Sequence, residues 1–210
     1  LRNSPGVRSV TSTSDNIMDI GSTTGDTDWD GKTADKSMIV YPMAVAPNYI
    51  DFFDMKLVAG QNFAGNKSDS TAFIVNETAV AQMGLKDPIG KRFTLWQTTG
   101  TIIGVVRDFH FASLRETIKP AVFMSRPQWH GGICVKTTGA EADAAVAAAE
   151  ALWKRFDSVY PFDYAFMDES FDKMYKKEQR TSQIFKVFGL IALLISCLGL
   201  FGLSAFTAEQ

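Results

Sequence analysis

The 210-residue sequence is poor in the residues that build metal and enzyme sites, with only two histidines and two cysteines. Cys134 and Cys197 are far apart and lie in different surroundings, so no disulfide framework is expected, and a cysteine-rich metal module is excluded. No glycine-rich phosphate loop occurs, which argues against a P-loop or Rossmann nucleotide site. A formal charge of −2 argues against nucleic acid as the main partner, because phosphate binding requires a cationic face.

The sequence also lacks an initiator methionine and a signal peptide, since it begins at Leu1. This start predicts that the chain is a piece of a longer protein. Apolar residues make up 46% of the chain and charged residues 21%, so a wholly disordered or collagen-like chain is excluded. The length is that of one or two domains.

One long stretch carries no charge. Residues 187–206 read VFGLIALLISCLGLFGLSAF, and twenty helical residues span about 30 Å, the thickness of the hydrocarbon core of a bilayer. This predicts a membrane anchor, with a helix buried in a large soluble core as the alternative. Five basic residues precede the stretch and taken alone would favour a cytoplasmic domain: Lys173, Lys176, Lys177, Arg180 and Lys186.

The rest of the chain mixes strands and helices without a regular βαβ alternation, which predicts the α+β class. Residues 14–37 are rich in Ser, Thr, Asp and Gly and are predicted to form a long surface loop. Strands are predicted at 7–13, 38–46, 72–75, 93–97, 101–107, 121–125, 133–137 and 164–167. Helices are predicted at 48–54, 77–83, 113–118 and 140–156, and from Ser170 into the apolar stretch.

Two of these helices have clear sequence signals. Asn76 is placed to cap the helix over residues 77–83, and Gly84 to end it. The helix over residues 140–156 is rich in alanine. Its apolar side chains recur at helical spacing and make one apolar face: Val146, Ala149, Leu152, Trp153 and Phe156.

The residues Asp108, His110 and Ser113 could be taken for a hydrolase triad. However, no G-x-S-x-G nucleophile elbow occurs, and triads are assembled in space rather than in sequence. The favoured interpretation is that His110 packs or hydrogen-bonds at the end of a strand.

Three further groups could suggest a site, and none is complete. His130 and Cys134 are spaced as two metal ligands, but two ligands do not close a zinc site. Residues 26–31 match the first half of an EF-hand loop, yet the twelfth position is Ser37 instead of a bidentate Glu, so a solvated acidic loop is favoured. Asp168 and Glu169 are adjacent and point to different sides, at a predicted helix start where the helix dipole favours negative charge. No catalytic, cofactor-binding or metal-binding residues are therefore expected.

Six stretches in order give the chain a specific resemblance. They are FFDMKLVAGQNF, IVNETAV, GLKDPIGKRF, IIGVVRDFHFASLRETIKP, YPFDYAFMDESFDKMYKKEQR and SCLGLFGLSAFTAEQ. With them the chain resembles the extracytoplasmic region and second membrane helix of MacB/FtsX-type ABC transporter permeases. Residues 1–46 match more loosely. Gln61 and Asn62 stand where the family usually has an Arg-Asp pair.

The resemblance implies a two-lobed periplasmic domain followed by a stalk and a membrane helix. A membrane-proximal α/β lobe would combine residues 1–67 and 127–180, a β-rich lobe over 68–126 would be inserted into it, and residues 181–210 would form the truncated stalk and membrane helix. The soluble part would then lie in the periplasm, anchored in the inner membrane.

The resemblance further implies a non-enzymatic permease subunit that couples ATP hydrolysis on a partner ATPase to export or mechanotransmission. Its implied partners are that ATPase, a second permease subunit, the lipid bilayer and a periplasmic or outer-membrane protein. Residues 170–188 are the hypothetical force-transmitting stalk. Two alternatives are a membrane-anchored sensor or ligand-binding domain, which would need a concave polar pocket, and an envelope hydrolase using His110.

Overall fold

The computed structural model describes residues 1–17, 20–110, 117–156 and 160–170, and ten residues between 185 and 199. The chain divides into two compact units, Leu1–Phe162 and Asp163–Gln210. The strands are β1 Ser9–Thr13, β2 Thr27–Trp29, β3 Tyr41–Ala44, β4 Leu57–Gly60, β5 Ala72–Asn76, β6 Arg92–Leu95, β7 Thr98–Val106, β8 Ala121–Met124 and β9 Gly132–Lys136. The α-helices are α1 Tyr49–Phe52, α2 Glu77–Met83 and α3 Ala142–Phe156.

Seven strands form one mixed sheet, in the order β2–β6–β7–β5–β8–β3, with β4 also paired to β7. β5 lies parallel to β7 and β3 lies parallel to β8, while the other pairs are antiparallel. β7 is long enough for β6 and β4 to pair with successive parts of it, on the edge opposite β5. This mixed architecture agrees with the predicted combination of helices and strands.

The central strands β5 and β8 are buried on both faces of the sheet. Their side chains alternate between two apolar clusters, because successive residues of a strand point to opposite faces. One cluster receives Phe73, Val75, Val122 and Met124, and the other receives Ala72, Ile74, Ala121 and Phe123. The sheet is therefore the middle layer of the core.

Glycines allow close backbone approaches around β7. A Cβ on Gly100 would lie 1.8 Å from the carbonyl oxygen of Thr71, and a Cβ on Gly104 would lie 2.5 Å from that of Gln61. Gly60 adopts φ +74°, in the left-handed region that favours glycine, and packs against the backbone of Ile103. The glycines of the LVAG and IIG stretches are thus required by packing.

A two-stranded ribbon of β1 and β9 adjoins the chain that follows β3. The amide of Ser14 donates to the carbonyl of Ala44 at 2.8 Å, and the amide of Ala46 donates to the carbonyl of Ser12 at 2.9 Å. α3 follows the ribbon, and within it only Ala145 is buried. Phe156, on the predicted apolar face of this helix, is 82% exposed in the structure.

Two predictions of secondary structure are wrong. Residues 14–37 are not all loop, because β2 lies there and its Trp29 is 1% exposed. Residues 164–166 form no strand, and Met167 is already helical. The predicted helix over 113–118 lies mainly outside the described residues.

Parts of the predicted stalk and of the predicted membrane stretch also lie outside the described residues. In the described part of the chain, no helix is both long and apolar enough to cross a membrane. The seven-stranded sheet joins strands from residues 1–67 with strands from 68–126. The two-lobe division stays a prediction.

Candidate functional site

Asp108, one of the three residues considered for a triad, lies just after β7 and binds the start of α2. Its carboxylate accepts hydrogen bonds from the amide of Thr78 at 2.9 Å and from the Thr78 hydroxyl at 2.7 Å. In return, the Glu77 carboxylate accepts from the amide of Asp108 at 2.9 Å. Asp108 thus satisfies a free amide at the N-terminus of α2, where the helix dipole favours both acidic side chains. The structure therefore gives Asp108 a capping role, whereas His110 is exposed and Ser113 lies outside the described residues.

Asn76 extends this junction into the core. As predicted, its side-chain oxygen caps α2 by accepting from the amide of Ala79 at 3.1 Å, and Gly84 ends the helix in the left-handed conformation. The same oxygen accepts from the amide of Ala121 at 2.9 Å, and the side-chain amide donates to the carbonyl of Lys119 at 2.9 Å. Asn76 is fully buried, and these bonds join β5, α2 and the chain entering β8.

His130 and Cys134 lie near the ribbon in a partly buried polar cluster. The His130 Nδ1 atom is 2.8 Å from the hydroxyl of Ser12, and its Nε2 atom is buried without a hydrogen-bond partner. Burial lowers the pKa of His130 and raises the pKa of the Cys134 thiol. The hydroxyl of the fully buried Tyr49 also has no hydrogen-bond partner. Among the described residues, no group of three or more His, Cys, Asp or Glu side chains could hold a metal ion.

The acidic segment that resembles half an EF-hand is occupied by an arginine. The Arg92 guanidinium lies 2.7 Å from the Asp28 carboxylate and 3.2 Å from that of Asp30, and it holds the pKa of Asp28 below its usual value. Lys32 also lies over the ring of Trp29, 4.9 Å from its centroid. The segment therefore contains the edge strand β2, paired with β6, and the carboxylates of Asp28 and Asp30 share the Arg92 guanidinium of that neighbouring strand.

Asp168 and Glu169 lie in the second unit, in a helical turn that includes Met167 and Ser170. The Asp168 carboxylate accepts from the amide of Glu169 at 2.9 Å, and the Ser170 hydroxyl donates to the carbonyl of Phe166 at 3.0 Å. These are local bonds of a helix start, which is the role that the sequence suggested for the two acidic residues.

The half-buried Trp96 and the exposed Trp129 form an aromatic pair that the sequence did not reveal. Their rings meet edge to face with centroids 5.5 Å apart, and Trp129 is 47% exposed. Trp96 lies in the turn between β6 and β7 and has φ +52°, a conformation that bulky residues rarely adopt. The residues are 33 positions apart, so only the fold brings them together. We call Trp96 and Trp129 the tryptophan pair.

The chain matches the model of the MacB-like periplasmic core domain over residues 1–152. The periplasmic region of MacB from Actinobacillus actinomycetemcomitans has 18% sequence identity and a TM-score of 0.51, over 73% of this chain and 69% of the other. A putative permease domain from Porphyromonas gingivalis has 16% identity and a TM-score of 0.53, over 80% and 84% of the two chains.

The extracellular domain of the ABC-type transporter YknZ from Gram-positive bacteria has 14% identity and a TM-score of 0.53, over 73% of this chain and 78% of the other. At these identities, the solved structures establish a shared fold. No curated protein matches the chain.

Proposed function

The chain belongs to the MacB-like periplasmic core domain family of ABC transporter permeases, and from this premise we propose that it transmits ATP-driven movement to the cell envelope. The ATP would be hydrolysed by a partner ATPase in the cytoplasm. The resulting movement would drive export or mechanical work on the periplasmic side. The subunit itself would perform no chemical step.

The observation that carries this proposal is the family match combined with a twenty-residue uncharged stretch at 187–206. An uncharged stretch of that length suits a membrane-spanning helix. Residues 187–206 would anchor the chain in the inner membrane, with the folded domain in the periplasm. The basic residues from Lys173 to Lys186 would then meet the headgroups of the lipid bilayer on the periplasmic side.

The use of polar groups within the first unit is consistent with a non-catalytic role. Asp108 binds the first turn of α2, Glu77 accepts from the amide of Asp108, and the side chain of Asn76 bonds to the backbone of Ala79, Ala121 and Lys119. These groups hold the domain together and so favour a rigid body that moves as a whole. The working unit would be a dimer of permease subunits, together with the ATPase and a periplasmic or outer-membrane partner.

Residues 170–188 are proposed as the stalk that passes the movement between membrane and domain. Their sequence contains no glycine or proline, so a continuous helix could form without a hinge. Such a helix would act as a lever, because rotation at its membrane end would displace its other end.

The test is a Gly-Pro insertion after Ser182 in the full-length transporter with its ATPase, reconstituted in lipid nanodiscs. A fluorophore at Asp143→Cys, with Cys134 and Cys197 replaced by Ser, would report displacement of the domain when ATP is added. We expect ATP turnover to persist while the displacement is lost. The matched control is the same insertion after Ala34, in an exposed turn, which should preserve both readouts. A displacement that survives the insertion after Ser182 would refute the lever.

The proposed location is tested separately, by protease cleavage at a tag placed after Ala34 in intact cells. Cleavage once the outer membrane alone is opened would support a periplasmic domain. Protection until the inner membrane is broken would place the domain in the cytoplasm and refute the proposed mechanism.

A further inference from the structure

The tryptophan pair is held in place by an arginine that lies beside it in the chain. Arg126 donates from Nη1 to the carbonyl oxygens of Ser70 and Ser125, at 2.6 and 3.0 Å, and from Nη2 to the hydroxyl of Thr98 at 3.0 Å. These bonds tie the segment that carries Trp129 to the start of β7, two residues after Trp96. The pair is therefore fixed before any ligand arrives, which lowers the entropic cost of binding.

The backbone conformation of Trp96 also indicates that its surroundings hold this residue in place. A left-handed conformation costs free energy for a bulky side chain, and it persists only where the surroundings impose it. The amide of Trp96 donates to the carbonyl of Asp26 at 3.0 Å, and the Trp96 ring packs partly against the core. The turn thus holds an aromatic ring at the surface, where Trp129 joins it at 5.5 Å.

The polar groups that neighbour the pair indicate which kind of ligand it would bind. The guanidinium of Arg126 uses three of its five N–H groups on oxygen acceptors of the protein itself, which fixes its position. The chain neighbours Gln97 and Gln128 are exposed and neutral, and they can both donate and accept hydrogen bonds. Asp26 is exposed beside the turn and adds a carboxylate, which accepts hydrogen bonds and repels anions.

From these observations we propose that the tryptophan pair, together with its chain neighbours Gln97 and Gln128 and with Asp26 of the adjoining turn, is a binding surface for a neutral oligosaccharide. A sugar ring offers an apolar face to an aromatic ring, and its hydroxyls match amide and carboxylate side chains. The carboxylate of Asp26 disfavours an anionic ligand. This inference goes beyond the transmission of movement and does not depend on it.

The experiment is saturation-transfer NMR and calorimetric titration of the full-length protein in nanodiscs, without ATP. The probes are the tetramer of N-acetylglucosamine, maltotetraose and, as the charged counterpart, tetragalacturonic acid. We expect at least one of the two neutral tetrasaccharides to bind, with tetragalacturonic acid weaker by about tenfold or more. The Trp129→Ala variant should lose about tenfold or more in affinity, because aromatic side chains dominate such contacts.

Two further variants keep the result interpretable. Trp129→Phe retains a smaller ring and should show an intermediate loss, while Phe156→Ala removes an exposed ring outside the surface and should leave binding unchanged. Thermal unfolding of each variant separates lost binding from lost folding.

Three outcomes would overturn the proposal. The first is that neither neutral sugar binds the protein at concentrations up to about 10 mM, which is weaker than useful recognition. The second is that the Trp129→Ala variant binds the neutral sugars as tightly as the unchanged protein does. The third is that the protein binds tetragalacturonic acid more tightly than the neutral sugars. If both neutral sugars fail to bind, and Trp129→Ala instead abolishes cross-linking to a protein of the envelope, the surface is a protein interface and the sugar proposal is wrong. Because no ATP is present, none of these outcomes bears on the lever test.

Discussion

Within the first unit, the seven-stranded sheet is more completely buried and hydrogen-bonded than the ribbon and α3. The sheet is covered on both faces, and the side-chain polar groups of Asn76 at its centre are hydrogen-bonded. The β1–β9 ribbon has an exposed Ile133 and a buried His130 nitrogen without a partner, and α3 buries only Ala145. The first region carries the stability of the domain, and the second resembles the less stable regions from which moving and binding segments are drawn.

The largest difference in the free energy of unfolding is expected between alanine substitutions of two phenylalanines. Phe123 in β8 is fully buried beside Phe109 and Tyr49, so Phe123→Ala should lower the free energy of unfolding by about 3–5 kcal/mol. Phe156→Ala in α3 should change it by less than about 0.5 kcal/mol. Urea unfolding followed by tryptophan fluorescence measures both. A large loss for Phe156→Ala would mean that α3 is covered in the full protein.

Glycine substitutions should have opposite signs in the two regions. Gly100→Ala places a methyl group against the backbone of Thr71 and should destabilise by about 3 kcal/mol. Gly139→Ala, before α3, meets no atom within 4 Å and should stabilise by about 0.5 kcal/mol, because it restricts the unfolded chain. Paired thermal melts check the signs. Equal changes in stability at both positions would contradict the difference in packing between the two regions.

Substitutions of two asparagines compare the contribution of buried hydrogen bonds with that of half-buried ones. Asn76→Ala removes the bonds to the buried amides of Ala79 and Ala121 and to the half-buried carbonyl of Lys119, which should cost about 2 kcal/mol. Asn48 is half-buried, accepts from Thr11 and donates to the carbonyl of Val10, so Asn48→Ala should cost about 1 kcal/mol. Urea midpoints at fixed denaturant slope give both values. If Asn48→Ala proves the more costly, the ribbon is not the weaker region.

The smallest effect is expected from pH. Because burial lowers the pKa of His130, the unfolded chain takes up a proton at a higher pH than the folded chain does. Stability should therefore fall as the pH drops below the ordinary histidine value of about 6.5, and this loss should level off below the folded pKa. The measurement is the urea midpoint at pH 7.5 and 5. His130→Gln should reduce the difference, and His110→Gln, at an exposed position, should not.

The elements that sequence reasoning predicted well are those specified by neighbouring residues. Asn76 and Gly84 marked both ends of α2 because caps act within a few positions. The alternation over 93–97 likewise predicted a strand followed by a turn and a second strand at 101–107, but the turn lies at 96–97 and β7 already begins at Thr98. The strand β2 was missed because it is three residues long and depends on pairing with β6.

The candidate sites depended on contacts that the sequence could not reveal. The role of Asp28 is set by Arg92, and the bonds of Asn76 beyond its helix go to Lys119 and Ala121. These partners are more than 40 positions away. The pattern of α3 was read correctly as a helix, but its burial requires a surface to pack against, and periodicity alone does not supply one.

The pairing of β7 with three strands has a mechanical consequence. β6 and β4 occupy successive parts of one edge of β7, and β5 lies along the other. A pull along β7 would load these hydrogen bonds in shear, so several must break together before the strand can slide. A pull across the edge would open them one at a time. The sheet should therefore resist tension along β7 far better than peeling, and the direction of an applied force would decide whether the domain moves intact or unfolds.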